Sequence, residues 1–313
     1  MEDEAFMYRG QAGAKRPGYK LKEDIFGIVL LLPAVAVLCI AVAMPILKGI
    51  YVSFCNYGLK NIDSPVWNNF ANYKAIFKNG EVVKYFGTTL LFVICVVTIQ
   101  FVIGMGAALL LNREIHGRGL FRGLLLIPWT IPSVVVAVTF RWMFHPQFGV
   151  LNYIFLKLGM TDTVNVAWTQ FPARSMALAV IAVVWRQLPY MTVMILSGLQ
   201  SVDETLVESA RIDGANERKV FRYIILPSIR PVTSTAVWIA VMNNFQMFTI
   251  VYNITGGGPG ISTTTLGIAV YKTAFQSFDF GKASAMGVVW LAALFIMTMI
   301  KNRIGDSNTA EYQ

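Results

Sequence analysis

Charge is scarce in this chain. Only 14% of its 313 residues are Asp, Glu, Lys or Arg, while 56% are apolar, a composition too greasy for a soluble protein of this length. All seventeen acids fall outside the long apolar runs, so no intramembrane carboxylate is on hand to carry a coupling proton or sodium ion. Only two histidines occur, His116 and His145, and neither has a nucleophile or a set of metal ligands at useful spacing, which removes the usual equipment of an enzyme. The three cysteines, Cys39, Cys55 and Cys95, are scattered, two of them inside apolar runs. They make neither a disulfide framework nor a metal-ligand pattern and read as packing residues. A phosphate-cradling Gly-x-x-x-x-Gly-Lys-Ser/Thr loop is also missing, so the chain is expected to bind no nucleotide or other cofactor itself.

Long apolar stretches are what the chain has in abundance. They run from Ile25 to Leu47, Phe86 to Leu111, Gly123 to Phe140, Ser175 to Leu199, Val232 to Tyr252 and Ser284 to Ile300, each near or above the roughly 18 residues that span a bilayer as helix. Six transmembrane helices in an all-α integral membrane fold follow. The formal charge of +9 would suit nucleic acid, but its distribution argues for membrane lipid as the surroundings. With the amino terminus inside, inside segments hold fifteen Lys and Arg, outside loops hold eight, and Arg141, Arg174 and Arg186 lie at or within spans. The bias places both termini in the cytoplasm, as an even number of spans requires. No cleavable signal is expected, because residues 1–24 are polar and of mixed charge. They read as a mobile cytoplasmic tail, followed by a first span and outside loop (25–84), a core (85–303) and a short tail (304–313).

The outside loop from Lys48 to Tyr85 is rich in Asn and aromatics, and its Trp67, Phe70 and Tyr73 suit the headgroup level. A second outside loop holds Val150 to Leu158, an apolar stretch that reads as an interfacial helix. The longest inside segment, 200–231, carries the most information. Ser201 and Glu204 have the spacing of a capping box, and Val202, Leu206 and Ala210 follow four apart on one face. Gly214 stands where a helix stop needs positive φ, Asn216 can cap a second helix, and Val220, Phe221, Ile224 and Ile225 supply its apolar face before Pro227. This helix, glycine turn and second helix fit either a generic pair lying on the membrane surface or a knob that transmits force from a partner.

Polar side chains inside spans are costly unless they face a protein interior or a watery path. Arg186 is the sharpest case, about eleven residues into the fourth span beside Gln187, Pro189 and Tyr190, with no intramembrane acid in its own chain. Its partner must be a carbonyl, water, a folded-back loop, a second subunit or the solute, and Pro189 can kink the span there. Asn243, Asn244 and Gln246 stand in the fifth span near Met247. Amides and rings suit a neutral sugar; they equally suit hydrogen bonding between helices.

The run Glu208-Ser209-Ala210-Arg211-Ile212-Asp213-Gly214-Ala215, with Ile225-Leu226-Pro227 beyond it, resembles the EAA signature of binding-protein-dependent ABC permeases. Ser209 replaces the signature's middle alanine. Further on, Asn253 to Pro259, Thr263 to Leu266, Ala274-Phe275 and Gly281 to Ala285 are similar to the carbohydrate-uptake branch, within it the first of two paired permeases of the maltose, multiple-sugar and glycerol-phosphate type. The resemblance implies the type I ABC importer permease fold in a bacterial inner membrane. Its implied partners are a second homologous permease, two ATPase subunits that bind ATP and Mg, and an extracytoplasmic binding protein that delivers a sugar. It assigns ATPase coupling to Glu208, Ser209, Ala210, Asp213 and Gly214, and binding-protein docking to Gly256, Gly257, Gly258 and Pro259, which also read as a tight turn. It places the substrate path at Arg186, Gln187, Tyr190, Asn243, Asn244 and Met247. An ion-coupled secondary transporter is the alternative.

Overall fold

The computed structural model describes residues 17–310 apart from 62, 115 and 164, and side chains between 26 and 303. The amino-terminal tail 1–16 lies outside the described residues. The first span begins within α1 (Pro17–Leu38), passes a π-turn at Cys39–Ala43 and ends in α2 (Met44–Ser53). Its most apolar window holds no buried residue, and its main contacts with the rest of the chain are made from α2. A short hairpin of β1 (Cys55–Asn56) and β2 (Val66–Trp67) follows, a departure from a purely helical fold, and then α3 (Ala71–Lys78). Phe54 gathers the aromatics of this loop: Trp67, Phe70 and Tyr73 centre 5.2–5.3 Å from its ring.

The second span is α4 (Glu81–Asn112). The third is broken. Where one straight helix is expected over Gly123 to Phe140, α5 (Arg118–Thr130) and α6 (Ser133–Met143) meet at 94°. Pro132 explains the break: it has no N–H to donate and drives the preceding residue out of the helical region, and Ile131 is extended at φ −74°, ψ 131°. The expected helix in the second outside loop is α7 (Val150–Lys157). The fourth span, α8 (Pro172–Gln200), is a single helix that carries buried Pro189 without breaking.

Beyond α8 come α9 (Glu204–Ile212) and α10 (Glu217–Val220). Pro227 does not separate the second loop helix from the fifth span. A π-turn at Phe221–Ile225 joins α10 to α11 (Leu226–Phe245) in one apolar helix from Glu217 to Phe245; Pro227 follows directly on that π-turn, whose shifted hydrogen bonding accommodates a residue without an N–H. The fifth span stops at Phe245 rather than Tyr252, and α12 (Thr249–Thr255) starts after a turn. The chain closes with α13 (Leu266–Phe275) and α14 (Phe280–Ala310), which packs on α2. Among the described residues five helices are long and apolar enough to cross a membrane, and the bent α5–α6 pair, taken as one span, brings the number to six.

The core lies between α4 and α8. Phe92, Val96 and Ala108 face Leu178, Ala182, Val183, Met191 and Ile195, all fully or nearly fully buried. Between apolar helices in lipid, close approach of backbones is the main source of packing energy. Gly104 provides that approach: a Cβ there would meet Met191 Cγ at 2.9 Å.

Candidate functional site

The loop between α8 and α11 is a self-contained knob. Asp203, not Ser201, caps α9: its carboxylate accepts the Thr205 N–H at 2.9 Å and the Thr205 hydroxyl at 2.8 Å, while Ser201 donates back to the Gly198 carbonyl. These two bonds, the backbone one foremost, hold the Asp203 carboxyl below its ordinary pKa. At the other end Gly214 takes φ +82°. Gly214 N–H reaches the Arg211 carbonyl at 3.1 Å and Ala215 N–H the Ala210 carbonyl at 2.9 Å, the paired bonds of a Schellman stop. Asn216 then caps α10 by accepting the Lys219 N–H at 3.0 Å. A two-pronged ion pair, Arg211 Nε to Glu217 Oε1 at 3.0 Å and Nη2 to Oε2 at 3.3 Å, straps the two helices across the turn.

This knob presents a mixed surface. Glu208, Ser209, Asp213 and Gly214 are exposed and Ala210 is half-buried. Ile212 at the tip is 87% exposed. Ser209 spends its hydroxyl on the Thr205 carbonyl at 2.8 Å, so it shows its neighbours little more than the alanine it replaces. Glu208 forms no ion pair among the described residues and lines a cleft of about 540 Å³ with Asn112, Arg118, Gln200, Val207 and Ile225. A free carboxylate beside an open cleft and a bare apolar tip can engage a basic, grooved partner.

In the membrane, α8 directs its polar residues to two sides. Arg186 and Tyr190, four apart on one face, turn toward the break in the third span. Arg186 Nε donates to the Ile131 carbonyl at 3.1 Å, and the Tyr190 ring lies 6.1 Å from that of Trp129. The partner of Arg186 is thus a carbonyl left free by the bend, an answer that appears only once Pro132 has opened the helix. Gln187 points instead toward α4 and α11. Its Oε1 accepts from Gln100 Nε2 at 3.2 Å and from Asn244 Nδ2 at 3.1 Å, and Asn244 Nδ2 also donates to the Ala240 carbonyl at 2.8 Å. Asn244 is 1% exposed and its Oδ1 has no partner. Asn243 faces the other way and is exposed, and Met247 is half-buried in the turn after α11. Gln100 is a member of this cluster that was not among the expected path residues, although an amide in an otherwise apolar run is the signal that singles out Asn244.

The glycine run after α12 is a clamped turn. Gly256 and Gly257 hold φ of +62° and +87°, and a Cβ on Gly257 would sit 2.6 Å from Thr264 Oγ1. Thr264 and Thr263 hydroxyls donate to the Gly257 and Gly258 carbonyls at 2.8 and 2.9 Å, and Thr255 Oγ1 accepts the Gly257 N–H at 3.1 Å. Thr89 ties the turn to α4 by accepting the Leu266 N–H at 2.9 Å. Gly256 is exposed, Gly257 buried, and Gly258 and Pro259 half-buried.

The chain is similar to known transport proteins along most of its length. The trehalose/maltose transport system permease protein of Thermococcus litoralis is 29% identical over 91% of this chain and 95% of that protein. The sulfoquinovosyl glycerol transport system permease protein of Agrobacterium fabrum is 31% identical over 91% of each. An inner membrane ABC transporter permease protein of Escherichia coli is 32% identical over 89% of this chain and 93% of its own. Among solved structures, a chain of a bacterial ABC transporter involved in import of the acidic polysaccharide alginate superposes with a TM-score of 0.76 over 91% of this chain and 98% of that one, at 20% identity. The type I permease fold is therefore shared. Residues 100–305 match the family model of the binding-protein-dependent transport system inner membrane component, and the chain belongs to that family.

Proposed function

We propose that this chain is one permease subunit of an ATP-driven importer, moving a sugar or sugar-like solute from an extracytoplasmic binding protein into the cell. The observation that carries this reading is the knob at 203–220, strapped on both sides of Gly214 and offering Glu208 and Ile212 to a partner. Force on such a knob passes directly into α11 through the unbroken helix from Glu217, and α11 ends at the Asn244–Gln187–Gln100 amides. Two ATPase subunits, holding ATP and Mg, supply the push; a second homologous permease supplies the other knob. The trehalose, maltose and sulfoquinovosyl glycerol in the relatives' names support a glycosidic solute, as do the Tyr190 and Trp129 rings at the bend and the amides between α8, α4 and α11. The glycine turn, through exposed Gly256, faces the binding protein. Both termini lie in the cytoplasm and the spans in the plasma membrane.

Glu208→Ala in the full complex tests the coupling. ATPase subunits should co-purify less well, and uptake into vesicles should fall at least tenfold with ATP hydrolysis no longer stimulated by loaded binding protein. Wild-type values for both would remove Glu208 from the drive. Uptake that survives ATP depletion but collapses with ionophores would instead identify an ion-coupled carrier.

A further inference from the structure

The start of α5 carries an arginine pair that transport leaves unused. Arg118 and Arg122 are one helical turn apart, so both reach the same neighbour, the end of α8. With its oxygen turned toward them, the Gln200 amide accepts Arg118 Nη2 at 2.7 Å and Arg122 Nη2 at 2.8 Å. Two guanidinium groups thus share one neutral acceptor, and the Nε of each is buried without a partner. Among the described residues the ion pairs are Arg211–Glu217 and Lys282–Glu81; Glu114, Glu204 and Glu208 line the cleft beside Arg118 without pairing to it. Like charges this close repel, and the positive amino-terminal end of α5 adds to the field. The carboxyl-terminal end of α8 returns only about half a charge. Among the described residues no carboxylate pairs with the two arginines.

A groove of about 260 Å³ leads away from the pair. It runs along α8 from Gln200 to Thr192, with Leu125, Leu126, Val193 and Leu196 on its walls and Arg122 at its mouth. Thr192 and Ser197, which also border it, spend their hydroxyls on the Leu188 and Met194 carbonyls, so the wall is effectively apolar. Eight residues of helix make it about 12 Å long. Its occupant must be anionic at one end, apolar along the rest, and at home where the hydrocarbon begins. A free phosphate would leave the groove empty, and an apolar partner helix would leave the arginines unpaired.

We propose that Arg118, Arg122 and Gln200 bind the headgroup phosphate of an anionic phospholipid whose acyl chain lies in the groove between α5 and α8. The lipid joins the α4–α5 turn to the end of α8, the helix that leads into the knob. The proposal does not rest on the transport reading.

The test uses the full chain purified with its partner subunits and delipidated in neutral detergent. Binding of phosphatidylglycerol, phosphatidylcholine and inorganic phosphate is measured by displacement of a fluorescent phosphatidylglycerol. Phosphatidylglycerol should bind about 30-fold more tightly than phosphatidylcholine, a factor of about five per arginine, and millimolar phosphate should not displace it. R118Q/R122Q should bring the ratio near one, R118K/R122K should keep most of it, and Leu126→Trp should weaken both lipids by filling the groove. Equal affinity for the two lipids in the wild type, or a preference that persists in R118Q/R122Q, would overturn the site. Full displacement by phosphate would make it a free-anion site, and a Ser197→Cys crosslink to the sister subunit would give the groove to protein; either outcome defeats the proposal. Should R118Q/R122Q fail to fold, wild-type protein is labelled with phosphatidylglycerol carrying a photoreactive acyl chain. Labelling at residues 192–196 supports the site, and its absence there refutes it.

Discussion

Replacing Asn244 with leucine separates solute contact from helix adhesion. The side chain is nearly isosteric and the position is 1% exposed, so little repacking is required. The substitution deletes one bond between helices, Asn244 Nδ2 to Gln187 Oε1 at 3.1 Å. In lipid such bonds average about 0.6 kcal/mol. It also deletes Oδ1, a buried acceptor without a partner, whose desolvation costs about 1–3 kcal/mol. Gln187 keeps Gln100 as a donor, so no new orphan results. The balance favours the variant by roughly 0.5–2 kcal/mol, and at about 2–4 °C per kcal/mol its melting midpoint in detergent should hold or rise by a few degrees. Uptake by vesicles containing the whole complex should nevertheless fall at least tenfold, because leucine has no donor or acceptor to offer a solute hydroxyl. A midpoint lowered by 5 °C or more would show that the amide is net glue between helices. Normal uptake would take Asn244 off the solute path.

Three further outcomes are expected. Gly214→Val forces a β-branched residue into φ +82°, a cost of about 1–2 kcal/mol confined to the exposed turn. Spans should stay folded by circular dichroism while stimulated ATP hydrolysis and uptake separate; tight coupling in the variant would contradict the role of the turn. Arg186→Gln keeps a donor for the Ile131 carbonyl but loses reach and charge, whereas Arg186→Leu strands that carbonyl. If the bond holds the bend, a thiol-crosslinking pair across the α5–α6 break will change yield in the leucine variant, and an unchanged yield would show that Pro132 suffices. The Asp203 cap is sensitive to acid. Its carboxyl pKa is lowered in the folded knob, so the cap is at full strength above the ordinary Asp value and is lost as pH falls through the lowered one. Amide exchange across 204–212, corrected for intrinsic rates, should speed up only in that acid window, and no such change is expected in Asp203→Ala.

Much of this architecture was legible in the chain. Apolar length alone places α4, α8 and α14, because a bilayer demands about the same run of residues every time. Gly214 and Asn216 were legible because positive φ and an N-cap each favour few residue types. The bend in the third span was not, since hydropathy counts residues without regard to direction, although Pro128 and Pro132 stood in view. The cap moved from Ser201 to Asp203 because both residues satisfy the same local rule and the end of α8 claims the serine first. Arg186 met a carbonyl 55 residues away in sequence, a contact that exists only in the folded chain. The polar residues of the path were singled out by cost; their division between two faces of α8 required the helix to be set among its neighbours.

The exposed first span bears on how the chain is made. It rests on α14 through α2, and roughly 230 residues separate Ser53 from Phe280. At about 5–20 residues per second of synthesis, the newborn span waits on the order of 10–45 seconds in the bilayer before its neighbour exists. A lone helix in that interval can shelter no polar side chain. It is also the most apolar of the five long spans, while α8, the most enclosed by protein, carries an arginine and a glutamine at mid-depth. Where protein encloses a span, and not where lipid does, the chain keeps its arginine and glutamine at mid-depth.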